Sequence, residues 1–148
     1  MKKIITIIGL LTISFTAGAA DIQTTVLTEL AKIETQQDYC QIAVSTNKLI
    51  QLGDSAVGPL SEALISPKNG LQLKWSAAQV LGEIGSTQGI PALNAALNSD
   101  NEWLRDTAKR SISMINHEVP RKGKVYLMSY GVQGSRTDCE TGTIELIK

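Results

Sequence analysis

The amino-acid sequence predicts an all-α fold, namely a short α-solenoid of three stacked helix pairs followed by a C-terminal tail. Two observations lead to this prediction. Apolar residues recur at helical spacing through the middle of the chain, and the pattern repeats with a period of about 32 residues. The chain has 148 residues, of which 43% are apolar, so it can form one domain with a buried core.

The repeat is marked by two glycines and two prolines. Gly53 and Gly85 are 32 residues apart, and so are Pro59 and Pro91. Around these markers, apolar residues form one face of a helix in each unit, and a less regular unit precedes them. We predict six helices within a repeat domain that spans residues 21–116. They lie near residues 22–35, 38–52, 55–65, 71–85, 87–97 and 101–116.

Particular residues predict how the helices begin and end. Asp100 is expected to cap the last helix, because its carboxylate can accept hydrogen bonds from the free N–H groups of the first turn. Gly53 and Gly85 are expected to end helices in a left-handed conformation. Pro59 and Pro91 are expected in first turns, where the missing N–H costs little.

Two segments resemble a known repeat family. Residues 81–93, Leu-Gly-Glu-Ile-Gly-Ser-Thr-Gln-Gly-Ile-Pro-Ala-Leu, are similar to the HEAT-like repeat of the type named after phycobilisome lyases. Residues 100–108 resemble the start of the second helix of that repeat. The resemblance covers about residues 40–116 and implies a HEAT-like solenoid whose surfaces bind partner proteins. It also implies an alternative function, an enzyme similar to the bilin lyases, although no residue here matches a catalyst of that family.

The first twenty residues have the pattern of a secretory signal peptide. Lys2 and Lys3 precede a largely apolar stretch, and small residues at positions 17–20 come before Asp21. The stretch is too short to span a membrane, and no later segment is long and apolar enough to do so. We therefore expect residues 1–20 to be removed and a soluble protein to reach the bacterial periplasm or be secreted. An uncleaved anchor is the less favoured interpretation.

The composition argues against several classes of function. Fourteen Lys and Arg balance fourteen Asp and Glu, so nothing in the charge indicates a nucleic-acid partner. One His and two Cys fall short of the ligands that a zinc site of these types needs. We therefore expect no metal and no cofactor. His117 follows a helix end, where the helix dipole favours a cation, so it is not expected to be catalytic.

The tail, residues 117–148, differs from the repeats. Residues 125–130 and 143–147 are β-type runs separated by glycines. Two interpretations are open: a β-hairpin with a loop of about a dozen residues, or an irregular segment packed on the helices. In both interpretations the tail is docked on the repeats.

Two cysteines are expected to hold the tail in place. Cys40 lies at the start of the second helix and Cys139 lies in the tail, and in an oxidising compartment such a pair favours a disulfide over free or intermolecular thiols. The 22 residues between His117 and Cys139 could span up to ~70 Å, about twice what three stacked helix pairs require.

The candidate binding surface is the face of the three longer helices that the apolar stripe leaves free. In such solenoids the longer helices line the concave side, where partners bind. The candidate partner-binding residues are Asn47, Gln51, Trp75, Gln79, Glu83, Asp106, Arg110 and Met114. For Trp75 and Trp103, packing between the repeats is the favoured interpretation, because aromatic residues dominate small cores.

The function predicted from the sequence is an exported, non-catalytic module that binds another protein. Within it, an envelope scaffold and an immunity or inhibitor protein are both open.

Overall fold

The structure is a computed structural model that describes residues 17–125, 127–128, 135–141 and 143–146. Within these residues the chain forms six α-helices: α1 Ala17–Thr35, α2 Tyr39–Leu52, α3 Val57–Ile65, α4 Leu71–Ile84, α5 Ile90–Ala96 and α6 Glu102–Ile115. The 3-10 segments Gly53–Ala56 and Thr87–Gly89 lead into α3 and α5. Most of the predicted signal peptide, residues 1–16, lies outside the described residues.

Consecutive helices pack as three pairs, and the longer helices α2, α4 and α6 lie side by side. This arrangement follows from the apolar stripe of each helix, which is hidden only where the helix meets its neighbours. On α4 the predicted stripe is buried, with Leu73, Ala77, Val80 and Leu81 all at most 4% exposed. These side chains belong to one core that runs from α1 to α6. The predicted all-α solenoid of three helix pairs is therefore confirmed.

Most of the predicted helix ends are also found. Gly85 is left-handed (φ 77°, ψ 18°) at the end of α4, as predicted. Gly53 after α2 has a positive φ of 58°, but its ψ of −138° lies outside the left-handed helical region. Pro91 lies in the first turn of α5. The prediction for Asp100 is wrong by one residue, because the Oδ1 atom of Asn101 accepts the hydrogen bond from the N–H of Leu104, 3.0 Å away.

Helices α4 and α6 approach most closely at a glycine. A Cβ atom added to Gly82 would lie 2.7 Å from the Cβ of Ser111 and 2.8 Å from its Cα, so the backbone of α6 would have to move. We expect Gly82→Ala to lower the free energy of unfolding by about 1–3 kcal/mol, because overpacking forces such shifts. Thermal unfolding followed by circular dichroism should show a melting temperature several degrees lower.

The matched control for this variant is Gly58→Ala, since a Cβ at position 58 meets nothing within 4 Å. There the gain in helix propensity and the steric restriction before Pro59 oppose each other, so the change should be small. Equal effects of the two substitutions would contradict the close approach of α4 and α6.

The tail forms three short antiparallel strands, β1 Leu127–Met128, β2 Ser135–Thr137 and β3 Ile144–Leu146, in the order β1-β2-β3. Leu127 pairs with Thr137, and Thr137 pairs with Ile144. The two β-type runs, residues 125–130 and 143–147, therefore do contain strands, β1 and β3. The interpretation in which these two runs pair directly as one hairpin is wrong, because β2 lies between them in the sheet. The sequence of β2, Ser-Arg-Thr, carries no apolar alternation that would have revealed it.

The predicted disulfide between Cys40 and Cys139 is confirmed. It joins the first turn of α2 to the turn before β3 across 99 residues of sequence, and the two Cα atoms are 5.1 Å apart. The tail is therefore tied covalently to the first helix pair.

Candidate functional site

The tail leaves the end of α6 and is anchored on the face formed by the long helices. The guanidinium of Arg121 donates a hydrogen bond to the carbonyl of Ile84 at 2.6 Å. The backbone N–H groups of Lys122 and Gly123 then donate to Oε2 of Glu83 at 2.7 and 2.8 Å. The tail is thereby fixed to the C-terminal end of α4.

A second anchor lies on α2. Oδ1 of Asn47 accepts from the N–H of Val125 at 2.7 Å, and the Nδ2 group of Asn47 donates to the carbonyl of Val125 at 3.3 Å. Asn47 and Val125 are both buried, at 3% and 7% exposure, so the paired bonds satisfy polar groups that water does not reach. The Asn47 side chain thus makes with Val125 the pair of hydrogen bonds that the backbone of a neighbouring β-strand would make.

An ion cluster holds the tail segments together beside the disulfide. Nζ of Lys124 lies 2.7 Å from Oδ2 of Asp138 and 2.8 Å from Oε2 of Glu140. The hydrogen bond from Lys124 holds the pKa of Asp138 below its usual range, although partial burial opposes this. Because the folded-state pKa is lowered, the contribution of Asp138 to stability is present above the ordinary pKa of an aspartate. It is lost as the pH falls through the lowered value.

The predicted binding residues fall into two groups, those that are buried or half-buried and those that stay exposed. Asn47 and Glu83 are buried and bonded to the tail, and Met114 is buried at 3% exposure. Gln79 is half-buried. The remaining candidates are the exposed residues Gln51, Trp75, Asp106 and Arg110.

A cavity of about 490 Å³ lies between the N-terminal ends of the three long helices. We call it the aromatic groove. Its largest lining side chains are Tyr39 and Ile42 from α2, Leu71 and Trp75 from α4, and Trp103 from α6, and Val125 of the tail completes the wall. Tyr39 is 68% exposed, Leu71 47%, Trp75 37% and Trp103 77%. The groove therefore gathers four large, exposed apolar side chains around one concavity.

Three polar side chains that line the groove, those of Gln72, Thr46 and Asn101, each make a hydrogen bond within the protein. Nε2 of Gln72 donates to the carbonyls of Ile33 and Gln36 at the end of α1, at 2.6 and 2.9 Å. The hydroxyl of Thr46 donates to the carbonyl of Ile42 at 2.7 Å, and Asn101 caps α6. The groove therefore presents an essentially apolar wall, suited to apolar and aromatic ligand groups.

The sequence favoured packing between the repeats for both tryptophans. This interpretation is wrong for Trp103, which is largely exposed, and Trp75 has more than a third of its surface exposed to solvent. Sequence reasoning also missed Tyr39, Leu71 and Val125. Tyr39 and Leu71 are 32 residues apart, and they lie one helical turn before the ladder positions 43 and 75. Continuing the ladder by one turn toward the helix starts would therefore have predicted both residues. No sequence signal places Val125 beside them.

Two further classes of site are not found in the part of the chain that is described. Among these residues, no group of three or more His, Cys, Asp or Glu side chains is placed to hold a metal ion. Nor does any helix among them combine the length and apolar character needed to cross a membrane.

Comparison with known proteins identifies the repeat. Residues 73–99, from α4 through α5 to the following loop, match the family model described as PBS lyase HEAT-like repeat. None of the curated proteins matches the chain. With the three stacked helix pairs, the match supports a HEAT-like repeat protein.

Proposed function

We propose that this HEAT-like repeat protein is an exported, non-catalytic module that binds another protein, and that the aromatic groove is the centre of its binding surface. The observation that carries the proposal is the exposure of Tyr39, Leu71, Trp75 and Trp103 around one cavity. Contiguous exposed apolar side chains of this size are typical of interaction sites, and tryptophan and tyrosine are enriched among residues that dominate binding energy.

The architecture supports binding rather than chemistry. HEAT-like repeats generally present extended surfaces to partners, and the lining side chains of Gln72, Thr46 and Asn101 are held in internal hydrogen bonds. The disulfide Cys40–Cys139 supports the export half of the proposal, because disulfides persist mainly in oxidising compartments. An envelope scaffold and an immunity or inhibitor protein both remain compatible with such a surface.

The direct test is affinity capture from envelope extract with the protein purified from the periplasm. We expect a partner in stoichiometric amount, and Trp75→Ala and Trp103→Ala should each weaken its binding about 30-fold, equivalent to ~2 kcal/mol. Leu27→Ala is the matched control, because Leu27 is 55% exposed on α1 and does not line the groove. A partner whose binding is equally sensitive to all three variants, or to none, would contradict the assignment of the groove.

A charge reversal tests the exposed candidate residues that do not line the groove. Arg110 is exposed on α6, so Arg110→Glu should leave the melting temperature nearly unchanged. If the bound partner covers this region, the association rate should change severalfold with an altered dependence on salt. The comparison of melting temperature with association rate separates the two roles, since a parallel loss of both would make Arg110 structural.

The alternative function, an enzyme similar to bilin lyases, is tested by a separate measurement. The volume of the groove lies within the range of about 300–1,000 Å³ that is typical of small-molecule sites. Incubation of the protein with a bilin should give no new absorbance band. A band that Trp75→Ala abolishes would favour the enzyme over the binding module.

A further inference from the structure

We infer that the disulfide Cys40–Cys139 controls the aromatic groove, so that the groove is complete only in the oxidised protein. Reduction of the bond releases the tail residue Val125 from the groove wall and weakens the binding of a partner. This inference rests on the proposed function, because it takes the groove as the binding site and adds the chemical condition that the site requires.

The disulfide lies at the edge of the groove. Cys40 is the second residue of α2, and its neighbour Tyr39 and the next-but-one residue Ile42 both line the groove. Cys40 and Cys139 each keep part of their surface exposed, so thiols and disulfides in solution have access to the bond. A change in this bond therefore acts directly beside the lining residues.

Contacts connect the disulfide to the tail segment that lines the groove. Asp138 and Glu140 flank Cys139, and their carboxylates lie 2.7 and 2.8 Å from Nζ of Lys124. Lys124 directly precedes Val125, through which the tail contributes to the groove wall. The position of Val125 is therefore linked to the position of the turn that carries Cys139.

The same tail segment is attached to α2 at a second point. The N–H and the carbonyl of Val125 are hydrogen-bonded to Asn47, which lies about two helical turns beyond Cys40. In the oxidised protein α2 therefore holds this segment at two points, covalently at Cys40 and by hydrogen bonds at Asn47. Held in this way, Val125 is only 7% exposed.

Reduction leaves contacts that are weak by comparison. The side chains of Lys124 and Glu140 are 23% and 35% exposed, and ion pairs that water screens in this way contribute little to stability. The three strands of the tail have two or three residues each, too few to be stable on their own. The hydrogen bonds of Asn47 must then oppose the conformational entropy of a tail that no cross-link confines. We therefore expect Val125 to leave the wall when the bond is reduced.

The redox step is a thiol–disulfide exchange with an oxidant that itself carries a disulfide. The thiolate of one cysteine attacks this oxidant, which forms a mixed disulfide and releases one thiol of the oxidant. The thiolate of the other cysteine attacks the mixed disulfide, so the bond between Cys40 and Cys139 forms and the second thiol leaves. The two cysteines lose two protons and two electrons in total, and the oxidant gains them.

The same exchange with a dithiol reductant runs in the opposite direction and opens the bond. Such reductants keep the cysteines of cytoplasmic proteins reduced, whereas the periplasm is oxidising. The groove is then incomplete before export and is completed after it.

The inference is tested by residue-resolved amide hydrogen exchange, measured by NMR on oxidised and reduced protein below the melting temperature of both. The N–H of Val125 should exchange at least about tenfold faster after reduction, because local opening exposes it to water. The N–H groups of Lys122 and Gly123, which bond to Glu83 at the other anchor, should change little. The N–H of Ala78, a fully buried residue in the middle of α4, should also change little.

Tryptophan fluorescence gives a second measurement that needs no partner. The chain has two tryptophans, so Trp103→Phe leaves Trp75 as the reporter in the groove. Acrylamide should quench Trp75 roughly twofold more strongly after reduction, because opening of the wall admits solvent. In the matched variant Trp75→Phe the reporter is Trp103, which is already 77% exposed, so its quenching should stay nearly constant. The double variant Cys40→Ser and Cys139→Ser should behave as reduced protein, with or without reductant.

The outcomes separate this inference from the proposed function. Equal exchange of the Val125 N–H in oxidised and reduced protein, or unchanged quenching of Trp75, would overturn the control of the groove and leave the binding module intact. Equal acceleration at Val125 and Ala78 would also overturn it, because the disulfide would then stabilise the whole fold rather than the wall. A captured partner that binds both forms equally well has the same consequence. Failure of the proposed function is seen separately, when no partner is captured in a Trp103-dependent manner from envelope extract.

Discussion

Deletion of the third helix pair, residues 87–116, should abolish the cooperative thermal unfolding of this protein. Helix α6 packs along α4, and the deletion would expose Val80 and Leu81 of α4, which are at most 1% exposed in the intact chain. Two remaining helix pairs cannot bury the apolar stripe of the middle pair on both sides, because each pair of a solenoid is stabilised by its neighbours. Circular dichroism should record a broad transition at low temperature.

The deletion is designed so that the tail is not lost with the repeat. Joining position 86 to position 117 leaves Arg121, Lys122 and Gly123 near their partners Ile84 and Glu83 at the end of α4. Disulfide formation in the shortened protein serves as the control for tail docking. A sharp melt at the temperature of the intact protein would show that the third pair does not support the other two.

Removal of the disulfide should produce the second large effect. The bond between Cys40 and Cys139 closes a loop across 99 residues, and on the chain-entropy model a loop of that length stabilises the fold by up to ~4.7 kcal/mol. Reduction, or the double variant Cys40→Ser and Cys139→Ser, should therefore lower the melting temperature by several degrees for each ~1 kcal/mol lost. Calorimetry of the oxidised and reduced protein gives the difference directly.

The double serine variant also provides the control, since a reductant should not destabilise it further. Mass spectrometry of the non-reduced protein should give a mass two hydrogen atoms below that of the dithiol, with one linked peptide pair. If the oxidised and reduced proteins melt at the same temperature, then the hydrogen bonds of Asn47 and Glu83 hold the tail without help from the disulfide. Free thiols in protein taken from the periplasm would exclude the bond altogether.

Local patterns were sufficient for the helices. The stripe that contains Leu73, Ala77 and Leu81 is formed by residues less than three turns apart, and the left-handed Gly85 ends α4 where the stripe ends. The cap of α6 shows the limit of this reasoning. Asp100 and Asn101 are adjacent residues of similar capping ability, and the loop geometry decides that Asn101 caps the helix.

The candidate site was predicted only in part, because exposure depends on what packs against a residue. The ladder of repeat positions includes Trp75 and Asp106, which are exposed on the long helices. Yet it could not distinguish them from Asn47 and Glu83, which occupy the same face but are covered by the tail. Nor could it indicate that Trp103 is exposed, which follows from its place at the start of α6, the last helix in the described part of the chain.

The sequence by itself determined the three helix pairs and favoured a bond between Cys40 and Cys139, because apolar periodicity is local and two cysteines allow one intramolecular bond. It did not determine every bound, since α1 begins at Ala17 and not near residue 22. Only the tertiary structure decided the path of the tail and the position of the aromatic groove. The bonds that set this path join Val125 to Asn47 and Gly123 to Glu83, across 78 and 40 residues. Contacts over such separations leave no periodic signal in the sequence, since they depend on how the stacked helices bring distant polar groups to hydrogen-bonding distance.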